Sequence, residues 1–198
     1  MPKKYGQVTG LSQVMANLNT RIQMIEGRTL KGIIRGVAQI RRDMDKTTPL
    51  IPVDKGNLRA SFFVITSQGN VTQGANPRFK QTGKKTAFTA QEMAKLQAVH
   101  SGTISEMTAK AKALGNSKGP FVVFGFGAYY ALYVHEMTGK SGISQRSLDH
   151  MKAVSARSQS GINWTRPGSG PKFLENAVDR NTPYVLYTVA KEARGALK

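Results

Sequence analysis

An α+β fold is predicted from three observations: helical apolar spacing over a long N-terminal stretch, two short β-forming runs far apart in the chain, and a second helical stretch at the C-terminus. The helices would pack on a small antiparallel sheet within one domain spanning 1–198, interrupted by an insertion at 67–119 between the first two strands. A chain of this length can bury a core of its own.

Leu11, Val14, Met15, Leu18, Ile22 and Ile25 follow helical spacing, and Leu30, Ile33, Ile34, Val37, Ile40 and Met44 repeat it. A helix is therefore expected over residues 10–46, with one apolar stripe to bury on the sheet. Gly27, Gly32 and Gly36 weaken it, so the helix either breaks near Gly27 or meets a closely packed neighbour on that face. A break or kink at Gly27 is the expectation. Thr48-Pro49 ends the helix, because proline disfavours helical backbone in the residue before it.

Next comes a turn, Ile51 to Asn57, and then Leu58-Arg59-Ala60-Ser61-Phe62-Phe63-Val64-Ile65, read as the first strand. Pro120 to Phe126 reads as its partner. The residues between are too many for a hairpin loop. Within them, Asn70 to Lys85 reads as a polar, basic, mobile loop. Thr89 with Glu92 forms a capping box for a helix to about Val99, and a second helix is expected from Ile104 to Leu114. This insertion is expected to be a partner-binding arm outside the core. Thr138 to Gly170 reads as a long loop. Helix then returns with Phe173, Leu174, Ala177 and Val178, and Thr182-Pro183 is read as the cap and first turn of a further helix carrying Val185, Leu186, Val189, Ala193 and Leu197.

Charge is the strongest compositional signal: 29 Lys+Arg stand against 11 Asp+Glu, a formal +18. Such a field favours polyanions. The excess lies in residues 1–46, 66–120 and 137–170, whereas the predicted strands are nearly neutral. It fits nucleic acid and acidic protein neighbours equally. Arg78, Lys80, Lys84 and Lys85 cluster beside Phe79 and Phe88, which could stack on bases, and form the candidate DNA or partner contact. No stretch has the ~20 apolar residues of a membrane-spanning helix and no leader follows Met1, so the chain is read as soluble, not secreted and without membrane contact. Cysteine is absent, which excludes disulfides, thiolate metal sites and a thiol nucleophile.

The catalytic motifs are fragments. His135-Glu136 opens like a zinc-protease helix, but Gly139 stands where the second histidine ligand is needed. Gly125-Phe126-Gly127 opens like a dinucleotide loop, but Tyr130 occupies its third glycine position. No catalytic, metal or cofactor-binding residue is assigned, and the chain is expected not to be an enzyme.

Pro52-Val53-Asp54-Lys55-Gly56-Asn57-Leu58-Arg59-Ala60-Ser61 has a local logic of its own. Pro52 restricts the entry, Asp54 can form an Asx-type turn, and Gly56 permits positive φ. The string also resembles the Pro-Val-Asp-Thr-Gly-x-Leu-Arg-x-Ser signature of the bacteriophage neck or tail-completion family, the group that includes the lambda tail protein Z. Two further blocks arrive in that family's order. Ala128 to Glu136, with Tyr130, Ala131, Val134, His135 and Glu136, is similar to its Tyr-Ala-x-Tyr-Val-His/Glu-Glu block. Pro171, Phe173, Leu174 and Ala177 are similar to its Pro-x-Phe-Leu-x-x-Ala helix start. Tyr130, Tyr133, Val134 and Met137 also share one face at helical spacing, so the second block is expected to be a short helix packed inward. Departures are Lys55 in place of threonine, the insertion at 67–119 and the long stretch at 137–170.

The resemblance implies a structural virion protein assembled in the bacterial cytoplasm. It would form a ring of its own copies between head-completion or connector proteins and the tail terminator or tail tube, around the packaged DNA. The alternative is a basic nucleic-acid-binding module that uses the +18 charge directly.

Overall fold

The computed structural model describes residues 10–53, 56–79, 88–136 and 166–197. Its elements are α1 (Leu11–Lys46), α2 (Asn57–Ala60), β1 (Phe62–Thr66), β2 (Val71–Gln73), α3 (Ala90–Lys118), β3 (Val122–Phe126), α4 (Ala131–Glu136) and α5 (Phe173–Gly195). The expected α+β architecture is present: the long N-terminal and C-terminal helices pack on a small antiparallel sheet of order β2-β1-β3.

β1 is central and buried along its whole length. It pairs with β3 from Phe62↔Phe126 to Thr66↔Val122, and with β2 through Val64↔Gln73 and Ile65↔Val71 across a bulge. Side chains alternate across a strand, so its apolar run divides between two faces. Phe62 and Val64 join Val37, Ile40, Met44, Ile51, Leu58, Phe173 and Ala177 beneath α1 and α5. Phe63 and Ile65 face the other way, onto Ala111, Ile104 and Met107 of α3. A four-residue apolar run with no polar alternation is the signature of a strand covered on both sides.

Several expectations are corrected here. The described part of residues 67–119 is not an arm outside the core. It supplies the edge strand β2 and one continuous helix, α3, that covers the second face of the sheet. Val71–Gln73 is strand where a loop was expected, and the two short helices merge through Ser101-Gly102-Thr103. The capping box does open α3: Thr89 Oγ1 accepts from Glu92 N–H, and Glu92 accepts from Thr89 N–H at 2.8 Å. Lys80 to Lys85 lie outside the described residues.

Leu58-Arg59-Ala60 forms the turn α2 before the strand begins. Gly56 enters it at φ 86°, Ala60 N–H bonds Gly56 O, and Ser61 Oγ donates to Leu58 O, so local hydrogen bonds outweigh β propensity there.

α1 runs unbroken through Gly27. The close neighbour exists further along: an added Cβ at Gly32 would meet the Val189 backbone, and one at Gly36 the Val185 side chain. α5 is also unbroken, with Pro183 inside it. A mid-helix proline removes one backbone hydrogen bond. Packing along α1 holds the helix together regardless: Arg180 places Nε and Nη2 on Asp43 Oδ2 at 2.9 and 2.6 Å and Nη1 on Thr48 O, while Arg35 pairs with Glu192. The whole stripe of α1 is not buried, however. Leu11, Val14, Met15, Leu18 and Ile22 are exposed, and α1 buries side chains only from Gly32 onward.

Candidate functional site

The three motif blocks lie far apart in sequence, and the fold gathers them into one cluster. Leu58 of the first, Ala128 of the second, and Phe173 and Ala177 of the third are all buried in the core beneath α1 and α5. Tyr130, Ala131, Val134 and Leu174 pack against that core. Phe173 is fully buried between two rings, its centroid 5.6 Å from Phe126 and 5.1 Å from His135, both near-perpendicular.

The second and third blocks also share hydrogen bonds. α5 starts after Lys172, a non-glycine residue at φ 57° that offers no side-chain cap. His135 takes over that task. Its carbonyl accepts Lys172 N–H at 2.7 Å and its Nε2 accepts Glu175 N–H at 3.4 Å. Nδ1 must then carry the proton, which it donates to Glu136 at 2.8 Å. Lys172 Nζ closes the group with Glu136 at 2.6 Å and Glu175 at 3.0 Å. Hydrogen bonds from Lys172 and then His135 hold the Glu136 carboxyl below its ordinary value, and those to Glu136 and Glu175 raise Lys172. These charges are solvent-exposed, so they fix geometry more than they stabilise. His135 and Glu136 thus act as a helix cap. Gly139 lies outside the described residues.

In the first block, Pro52 is buried and Val53 half-buried, while Asp54 and Lys55 lie outside the described residues. Arg59 reaches Asp45 of α1 at 3.1 Å. Arg41 meets the same carboxylate at 2.8 Å and lies over the Phe62 ring, and Arg166 Nη2 donates to the Asp45 carbonyl. Ser61 is buried and its carbonyl accepts Gly127 N–H at 2.8 Å, which joins the first block to the entry of the second. Pro171 is half-buried beside Gly170, whose N–H bonds Leu50 O. Among the described residues no group of three or more His, Asp or Glu side chains could hold a metal ion.

No family model, curated protein or solved structure matches this chain.

The candidate DNA contact fares differently. Arg78 is exposed, and Lys80, Lys84 and Lys85 lie outside the described residues. Phe79, read as a stacking residue, is buried and meets Phe88 edge-on at 6.4 Å. A ring held that way has no open face to offer a base. Sequence reasoning missed the buried His100, whose Nε2–H donates to Gly74 O and so ties α3 to the chain leaving β2. It also missed the Asp43–Arg180 clamp. Neither has a local signal, since each pair is distant in the chain.

Proposed function

We propose that this chain is a structural subunit of a tailed-bacteriophage neck that assembles with its own copies and joins the DNA-filled head to the tail. The observation that carries the reading is the meeting of the three family-like blocks. Residues 52–61, 128–136 and 171–177 resemble the family in sequence and order, and they share one buried cluster in which each block contacts another. Among the described residues of these blocks, Arg59, Ser61, His135 and Glu136 are each engaged in holding an element in place. Work done by such a subunit is complementary contact, with no turnover and no cofactor. Its partners are copies of itself, connector and tail proteins, and the packaged DNA along the ring's axis.

Electron microscopy of a lysate from a phage lacking this protein tests the proposal. DNA-filled heads and finished tails should accumulate unjoined. Normal joined particles would overturn it. If the protein is instead a basic nucleic-acid module, its affinity for free duplex DNA should fall steeply with salt, and joining should survive its loss.

A further inference from the structure

α1 is only partly covered by the rest of the fold. α5 runs antiparallel to it, with Asp43 against Arg180, Gly36 against Val185, Gly32 against Val189 and Arg28 near Gly195. Beyond Arg28, α5 has come to its end, and residues 11–27 extend for about 25 Å at 1.5 Å per residue. An isolated helix of that length is marginal in water. This one is also apolar along one line: Leu11 is 61% exposed, Met15 50%, Leu18 51% and Ile22 43%, and the half-buried Ile25 ends it.

The spacing of that line is specific. Leu11, Met15, Leu18, Ile22 and Ile25 alternate in steps of four and three, the repeat of a coiled-coil seam. Continued along α1, the same alternation reaches Thr29, Gly32, Gly36, Gln39 and Asp43. Gly32, Gly36 and Asp43 are the residues that face α5. One face of α1 therefore meets a helix of its own chain in its C-terminal half and carries an uncovered seam in its N-terminal half.

We infer that this seam pairs with the same seam of a second copy of the chain, parallel and in register. The flanking charges select the copy and its direction. Arg21 and Glu26 stand on opposite edges of the seam, five residues apart, which is the offset at which one parallel helix reaches across to its partner. Both edges of the pair then gain an Arg21–Glu26 contact. An antiparallel arrangement would set the edges that carry Arg21 and Arg28 beside each other. Ile22 and Met15 fall at the first core position of the heptad and Leu11, Leu18 and Ile25 at the second, and β-branched Ile22 with Leu18 favours two strands. A two-fold seam closes at the pair, so contacts that extend a ring come from other surfaces. The inference rests on the self-assembly part of the proposed function and names the surface that begins it.

The test is made on the full chain. Sedimentation velocity at about 10 μM should give a dimer or a larger assembly for the unaltered protein. Leu18→Asp with Ile22→Asp should dissociate it at least about tenfold more readily while the melting temperature of the folded core stays the same, since neither side chain belongs to that core. Arg21→Glu should weaken association by about threefold to tenfold, and adding Glu26→Arg should restore it. The chain has no cysteine, so Ile22→Cys introduces a unique thiol. It should cross-link to itself under mild oxidation, and Gln23→Cys, off the seam, should not. An unaltered protein that is monomeric, an assembly unaffected by the double aspartate change, or an Ile22→Cys protein that does not cross-link would overturn the seam. Failure of the neck reading is seen separately: a seam that behaves as stated, in a phage whose heads and tails join without this protein, removes the neck function and leaves the seam standing.

Discussion

Substituting alanine for the glycines of α1 separates helix propensity from packing within a single helix. Glycine costs a helix interior up to about 1 kcal/mol relative to alanine, so Gly27→Ala should be neutral to stabilising by that amount. Nothing lies within 4 Å of the methyl it would add. Gly32→Ala gains the same propensity, but its methyl would stand 2.8 Å from Val189 Cα, 3.1 Å from the Thr188 carbonyl oxygen and 3.2 Å from Val189 N. These are backbone atoms of α5 and cannot rotate away. The helices must part, and forced overpacking costs about 1–3 kcal/mol. Against the gain in propensity, Gly32→Ala should be destabilising by about 0–2 kcal/mol and should fall below Gly27→Ala by about 1–3 kcal/mol. In a chain of this size each kcal/mol moves the melting temperature by about 2–4 °C. Urea denaturation and thermal melting of both variants give the comparison directly. If Gly32→Ala is as stable as Gly27→Ala, α1 and α5 do not approach at Gly32 and the register of their packing is wrong.

Other changes probe the remaining contacts. Gly56→Val should cost about 1–3 kcal/mol of stability, read by denaturation, because φ is 86° there and the strain is backbone alone, with no atom within 4 Å of the added Cβ. His100→Ala should cost about 2–5 kcal/mol, since it empties a fully buried volume and frees Gly74 O; hydrogen exchange should speed first in β2. For Asp43, partial burial acts to raise the carboxyl, but hydrogen bonds from Thr47 and Arg180 and the Arg180 charge outweigh it and hold the pKa below the ordinary 3.8. Because the folded value is the lower one, its contribution is full above the unfolded value and fades as pH falls through the folded one. Melting temperature should therefore drop on acidification below about pH 4, and Asp43→Asn should flatten part of that limb while lowering stability at pH 7 by about 1–2 kcal/mol. Replacing residues 90–118 by a short glycine-serine linker should unfold the protein, seen as loss of a cooperative melt, because Phe63 and Ile65 would lose their cover.

Local signals in this sequence are strong wherever a short stretch decides its own structure. The capping box at Thr89 and Glu92, the end of α1 before Pro49, the positive φ of Gly56 and the pairing of two apolar strands could all be read from neighbouring residues. The expected α+β class followed from these. Proline misled at Pro183 because its cost, about 3 kcal/mol, is set locally while the packing that outweighs it comes from the partner helix; at Gly27, where nothing lies within 4 Å of an added Cβ, α1 runs on because a single glycine costs only about 1 kcal/mol. The motif blocks were legible as strings, yet their roles were not. That His135 caps α5, that Arg59 reaches Asp45 and that Phe173 fills the centre depends on which distant segments meet. The insertion was misplaced for the same reason. Ala111, Ile104 and Met107 are too sparse among Lys, Ser and Thr to announce a buried face, and only a sheet already fully apolar on its far side makes a third layer of them. Sequence by itself determined the α+β class, the positions of the long helices and the two paired strands, and the charge, since these depend on residue type and short-range spacing. The tertiary structure alone decided which faces are covered, because burial belongs to pairs of surfaces and not to either one.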